Sequence, residues 1–112
     1  MLGAMGERIY KEVCRNNVVL YMKGTAAFPQ CSASASIVQI LSALGVAFKD
    51  VNLQEDNELR YALLDYAQWP SLPQLYIKSE FVGGADIVRE MYQTGELEEL
   101  LEAKEIPYNQ AA

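Results

Sequence analysis

The run "NVVLYMK" (17–23) constrains this chain more than any other stretch. It is β-branched and continuously apolar, whereas a strand with one wet face alternates apolar and polar residues. Such a strand belongs inside a sheet covered on both faces, so the remaining sequence must supply helices for each side. It does. Ile9 and Val13, set among charges, predict an amphipathic helix from Met5 to about Arg15. Ile37, Val38, Ile40, Leu41 and Leu44 recur at three and four, predicting a helix from about Ser32 to Leu44 that Gly45 terminates. "AFKDVNL" (47–53) reads as a second strand, and Asp56 as the cap of a helix to about Gln68 with Leu59, Leu63 and Tyr66 inward.

Two short strands, Gln74–Lys78 and Glu80–Gly83, are expected around a turn near Ser79. Asp86 is expected to cap a helix through Thr94 that ends at Gly95. A last helix covers about Glu96–Lys104, with Leu97, Leu100 and Leu101 inward. A right-handed βαβ unit followed by a hairpin gives an α/β fold, a four-stranded mixed sheet flanked by helices on both faces. No repeat, linker or low-complexity tract divides the 112 residues, so 1–112 is read as one domain.

Composition then removes several functions. Nine basic against fifteen acidic residues give a net charge of -6, which argues against a general nucleic-acid binder. No apolar run reaches the roughly 18–20 residues a bilayer crossing requires. The chain has no histidine, which excludes histidine-based triads and the usual zinc ligand sets, and two cysteines cannot make a disulfide framework. Carboxylate, lysine, tyrosine or thiol chemistry remains. "MLGAMGERIYKEV" has neither a secretory apolar region nor the acid-poor character of a transit peptide, although a processed organellar chain would look the same. A reducing compartment, cytoplasm or mitochondrial matrix, is expected.

Within "GTAAFPQCSASASIVQIL" the candidate thiol is Cys31, between a proline-bearing loop and the start of a helix. Helix N-terminal amides and the positive end of the helix dipole stabilise a thiolate, and Lys23 at the end of the preceding strand adds charge. Such surroundings bring a thiol below its free value of ~8.5. Cys14, on the opening helix, reads as a small buried hydrophobe. In "WPSLPQLY", Pro73 fits either a cis Leu72–Pro73 bond that frees the Leu72 backbone for an extended ligand, or a trans proline opening an edge strand. "VGGAD" sets flexible backbone at a helix N-terminus, a place for a carboxylate, with Asp86 able to receive an ammonium group. Arg60, beside Glu58, fits either a solvated face or that same anionic ligand.

"MKGT…FPQC", Ser34 three residues past the cysteine, "LR", "WPSLPQLY" and "FVGGAD" stand in the order and spacing of the monothiol glutaredoxins, which the chain resembles from about Ile9 to Leu101. The resemblance implies a thioredoxin-like fold, glutathione as cofactor, and a [2Fe-2S] cluster held between two protein cysteines and two glutathione thiols in a homodimer. It implies cluster transfer to apo iron–sulfur acceptor proteins and pairing with BolA-type proteins. By resemblance, Cys31 is the reactive thiol and cluster ligand. Lys23 and Arg60 meet a glutathione carboxylate, Gln30 adds a polar contact, and Leu72 before Pro73 pairs with the cysteinyl part. Gly84, Ala85 and Asp86 hold the γ-glutamyl end.

The family tetrad is Cys-Gly-Phe-Ser; here it is "CSAS", with Ser32 and Ala33 replacing glycine and phenylalanine. Ser34 is kept, so no resolving cysteine follows. An aromatic buries about 150–250 Å²; losing it would weaken the dimer, wet the cluster, or admit a bulkier partner. Three functions are therefore carried forward: a glutathione-dependent iron–sulfur carrier, a single-cysteine deglutathionylating oxidoreductase, and a regulatory adaptor without cluster.

Overall fold

A computed structural model describes residues 3–109. Strand β1 (Val18–Met22) is buried at every position and lies inside a four-stranded sheet of order β2-β1-β3-β4. It pairs in parallel with β2 (Lys49–Asn52), Val19 opposite Lys49 and Met22 opposite Asn52. On its other side it pairs antiparallel with β3 (Gln74–Ile77), which turns through Lys78 and Ser79 into β4 (Glu80–Gly83). Five helices complete the fold: α1 (Ala4–Arg15), α2 (Ser32–Ala43), α3 (Asn57–Ala67), α4 (Ala85–Thr94) and α5 (Glu96–Ala103). The element order is the expected one.

The continuous apolarity of β1 follows from two separate cores. Val18, Leu20 and Met22 join Leu75 and Ile77 beneath α2, α4 and α5. Val19 and Tyr21 join Tyr76 on the opposite face, against Ile9 and Val13 of α1 and Leu59 and Leu63 of α3. Successive side chains of a strand point to opposite faces, so each face claims alternate residues and none can be polar without cost. The one polar group β1 carries inward, the Tyr21 hydroxyl, donates to Glu12 Oε1 at 2.6 Å. Burial, and then that carboxylate, push the phenol well above its ordinary range.

Three expectations are corrected. Asp86 does not cap α4: the N-cap is Gly84, and Asp86 sits in the first turn, where its carboxylate meets Arg89 at 3.3 Å. The helix starts earlier because Gly84 already holds extended backbone, leaving Asp86 inside. Cys14 is exposed, not buried, because it is one step round the helix from Val13; its sulfur lies 3.6 Å from Ser79 Oγ. The second strand is only Lys49–Asn52, an edge strand, and Phe48 lies outside it and half-buried against the α2 side of the core.

Gly24, just after β1, takes φ +89°, and a Cβ there would lie 2.5 Å from the Phe28 carbonyl oxygen and 2.6 Å from the Gln30 nitrogen. Both are backbone atoms that cannot step aside. Gly24→Ala is therefore expected to lower stability by about 1–3 kcal/mol, read as a lower urea midpoint at unchanged m-value. An unaltered midpoint would show that the loop is free to take another path.

Candidate functional site

The site is assembled where β1 hands over to α2. Between them the loop 24–30 folds back on itself: the Gln30 amide donates to the Lys23 carbonyl at 2.9 Å, and the Phe28 and Thr25 amides donate to each other's carbonyls. It is tied to the sheet edge by the Gly24 amide donating to Asn52 Oδ1 at 2.9 Å and the Ala26 amide to Asp50 Oδ2 at 2.8 Å. This route brings the chain to Cys31 in extended conformation, and Cys31 becomes the N-cap of α2. Its sulfur takes the place a serine or aspartate oxygen usually fills, accepting from the Ser34 amide at 3.4 Å.

Ser34 does more. It is wholly buried, and its Oγ accepts from the Lys23 amide at 3.2 Å while lying 3.1 Å from Cys31 Sγ. With one lone pair occupied by Lys23, the hydroxyl proton is free to point at the sulfur. Burial of Cys31 raises its pKa, but the opposing effects are together larger. The Ser34 hydroxyl, the Ser34 amide, the charge of Lys23 and the Ala33 amide hold the thiol below its ordinary range. No acidic residue stands in the first turn of α2 to offset the dipole. Cys31 is only half-buried, so the sulfur that these contacts stabilise remains reachable.

Two hollows are lined by neighbours of this thiol, Lys23 in one and Ala33 in the other, while Cys31 itself lines neither. One, of about 260 Å³, is lined by Lys23, Arg60, Tyr61, Leu64, Pro70 and Leu72, among others. The second, of about 390 Å³, is walled by Ala33, Trp69, Pro73, Gly84, Ala85 and Asp86, among others. They share Ser71 and Leu72, so they form one trough with two cations at one end and the start of α4 at the other. The Leu72–Pro73 bond is cis, which decides between the two alternatives for this proline. The Leu72 backbone makes no hydrogen bond among the described residues, so its amide and carbonyl remain open to a ligand. Gly84 gives α4 no side-chain cap, leaving first-turn amides facing the second hollow.

Lys23, Arg60, Leu72, Pro73, Gly84, Ala85 and Asp86 are thus all brought to one trough. Gln30 is not: its side chain is exposed, donates to the Phe28 carbonyl at 3.2 Å and lines neither hollow. Arg60 lies half-buried with its guanidinium 5.5 Å from the Tyr61 ring centroid, so it is not the freely solvated cation that its neighbour Glu58 suggests. Ser34's part in the thiol's electrostatics was readable only as spacing, since a polar residue three places after an N-cap is where a capping pair closes. Tyr61 and Trp69 carry no such signal. Among the described residues no group of three or more potential metal-ligating side chains comes together.

Residues 18–82 match the family model described as glutaredoxin. The chain is 52% identical over 95 residues to a protein of Rickettsia conorii called probable monothiol glutaredoxin 2, covering 85% of this chain and 89% of that one. Its structure is similar to that of reduced apo GrxS14 from poplar, with a TM-score of 0.80 and 48% identity, covering 90% and 93% of the two chains. A monomeric truncated mutant of Trypanosoma brucei 1-C-Grx1 superposes with a TM-score of 0.86 at 32% identity, covering 98% and 97%.

Ser34→Ala removes the hydroxyl donor but keeps the amide. The Cys31 pKa is expected to rise, so the pH midpoint of iodoacetamide alkylation moves to higher pH and the rate at neutral pH falls. A midpoint that stays in place would assign the depression to the helix terminus and Lys23 alone.

Proposed function

This chain belongs to the glutaredoxin family, among its monothiol members, and we propose that it binds glutathione across Cys31 and, as a homodimer, carries a [2Fe-2S] cluster. The apo iron–sulfur acceptor proteins and BolA-type proteins are its partners in this reading. The observation that supports it best is the trough: two hollows meeting at Leu72, with Lys23 and Arg60 at one end and the open amides of α4 at the other.

Glutathione has a carboxylate at each end, an ammonium group beside one of them, and a thiol between. Lys23 and Arg60 take its glycyl carboxylate, and the Leu72 backbone pairs with its cysteinyl unit. The amides at the start of α4 take the γ-glutamyl carboxylate, and Asp86 the ammonium. That alignment turns the thiol of the ligand toward Cys31. The donor set then fits a cluster held entirely by sulfur. Each chain offers the Cys31 thiol and, among the described residues, no group of three or more metal-ligating side chains; in this reading, which rests on the family resemblance, the remaining donors are a second Cys31 and two glutathione thiols. When bound, the cluster supplies the transferable iron and sulfide; the protein's part is to keep Cys31 anionic and the two thiols converging.

The depressed Cys31 pKa favours a second reading, deglutathionylation. The Cys31 thiolate attacks the glutathione sulfur of a protein mixed disulfide, and the released protein thiolate takes a proton from solvent. A second glutathione thiolate then attacks the Cys31-bound glutathione, giving oxidised glutathione and restoring the Cys31 thiolate. With serine at position 34, the tetrad holds no second cysteine to stand in for that thiol.

Anaerobic reconstitution with iron, sulfide and glutathione is expected to give a brown dimer, colourless without glutathione or in Cys31→Ser. A colourless monomer that still removes glutathione from a mixed disulfide would replace the carrier reading with the second. Calorimetry tests the shared premise: Lys23→Ala and Arg60→Ala are each expected to weaken glutathione binding about tenfold. Wild-type protein that binds no glutathione would remove both readings.

A further inference from the structure

The face carried by α1 and β2 is not used by the thiol chemistry, and its charge differs from that of the whole molecule. A groove of about 450 Å³ there is lined by Arg8, Lys11, Arg15 and Lys49, against which stand Glu7 and Glu12. Four of the chain's nine cations thus line one groove of a protein with net charge -6. Glu12 is turned to an internal task, accepting the Tyr21 hydroxyl. Arg8 reaches Asp56 only at 4.0 Å, and the side chains of Lys11, Arg15 and Lys49 make no ion pair or hydrogen bond among the described residues. Arg15 stands in the last turn of α1, where a cation meets the helix dipole favourably, but Lys11 and Lys49 have no such internal role, and like charges in proximity oppose one another.

We propose that this groove docks an extended, carboxylate-rich segment of a partner protein. The shape of the site selects an extended polypeptide. Arg8, Lys11 and Arg15 follow one side of α1 over about 10 Å, the length of roughly three residues of extended chain. Acidic residues at alternate positions of such a segment meet successive cations. Lys49 begins β2, an edge strand paired only with β1, so main-chain groups for a further strand lie beside the cations. A uniformly charged polyanion such as nucleic acid suits the groove less well, since Glu7 and the acidic remainder of the chain repel phosphates placed beyond the cations.

The test uses the full chain, labelled with nitrogen-15, and a short synthetic peptide of alternating glutamate and threonine at low ionic strength. Amide shifts are expected on α1 and β2, with an affinity that falls as salt is added. Lys11→Glu combined with Arg15→Glu is expected to weaken the peptide about tenfold, and Lys49→Glu to do so independently, while glutathione affinity and Cys31 alkylation stay unchanged. All three side chains are exposed, and far-ultraviolet circular dichroism checks that the variants fold. The proposal is overturned by no peptide binding, by shifts only around Lys23 and Arg60, or by tighter binding of single-stranded DNA at the same groove. Salt-sensitive self-association abolished by the double variant would make the occupant a second copy of this chain, and would overturn it too.

Discussion

The Ser34 hydroxyl is held from two directions, and the site depends on both. One lone pair is fixed by the amide of Lys23 at the end of β1, and its proton is left to face Cys31 at the start of α2. A buried hydroxyl is stable only when satisfied, so strand end and helix start are locked at one separation. The loop between them must then close over a short distance, which explains the positive φ at Gly24 and the tight pairing of Thr25 with Phe28. The lowered pKa of the thiol is thus a consequence of how the end of one central strand meets one helix. It does not require a histidine, and the chain has none.

How much of this was legible follows from which physical signals are local. The strand β1 was readable because a run buried on both faces must be apolar throughout. The helices were readable from spacing, since Ile9 and Val13 of α1 or Leu59 and Leu63 of α3 fall one turn apart on one face. Cys14 was misread because sulfur itself gives no phase; adjacency to Val13 already put it a step round the helix, and that geometry outweighs the usual burial of cysteine. Asp86 was misread because an acid after two glycines looks like a cap, whereas the extended backbone of Gly84 had already taken the capping place. The isomer of Leu72–Pro73 was not decidable from sequence, because it is set by tertiary packing around the bond. Convergence of Lys23, Arg60 and Gly84–Asp86 was legible only as topology, all three following the ends of strands on one side of the sheet.

In the tetrad "CSAS" the side chains between Cys31 and Ser34 have a part separate from that of Ser34. Ser32 is exposed, and Ala33 is half-buried against the core and walls the larger hollow. Neither side chain touches the bonds that hold Ser34, so the hydrogen bonds to the thiol do not depend on the side chains at 32 and 33. Position 33 contributes wall: the Ala33 methyl lines the hollow together with Leu72 and Pro73, so the size of that side chain sets the room beside them. Electrostatics and shape are therefore separable here, the first carried by position 34 and the second by position 33.

Charge is partitioned in the same way. A protein of net charge -6 repels an anionic tripeptide at long range, yet salt screens that repulsion over about 8–10 Å. Inside that distance local cations decide, and only Lys23 and Arg60 stand in the trough. Lys23 then acts on two anions at once, the thiolate it stabilises and the carboxylate it is proposed to bind. Occupying one draws on the charge available to the other, so a bound carboxylate beside Lys23 pushes the Cys31 pKa upward. The Ser34 hydroxyl and amide offset this, since their hydrogen bonds to sulfur do not depend on what Lys23 contacts. The buried serine thereby opposes that rise when the trough is full, which is the state in which the thiol's chemistry is needed.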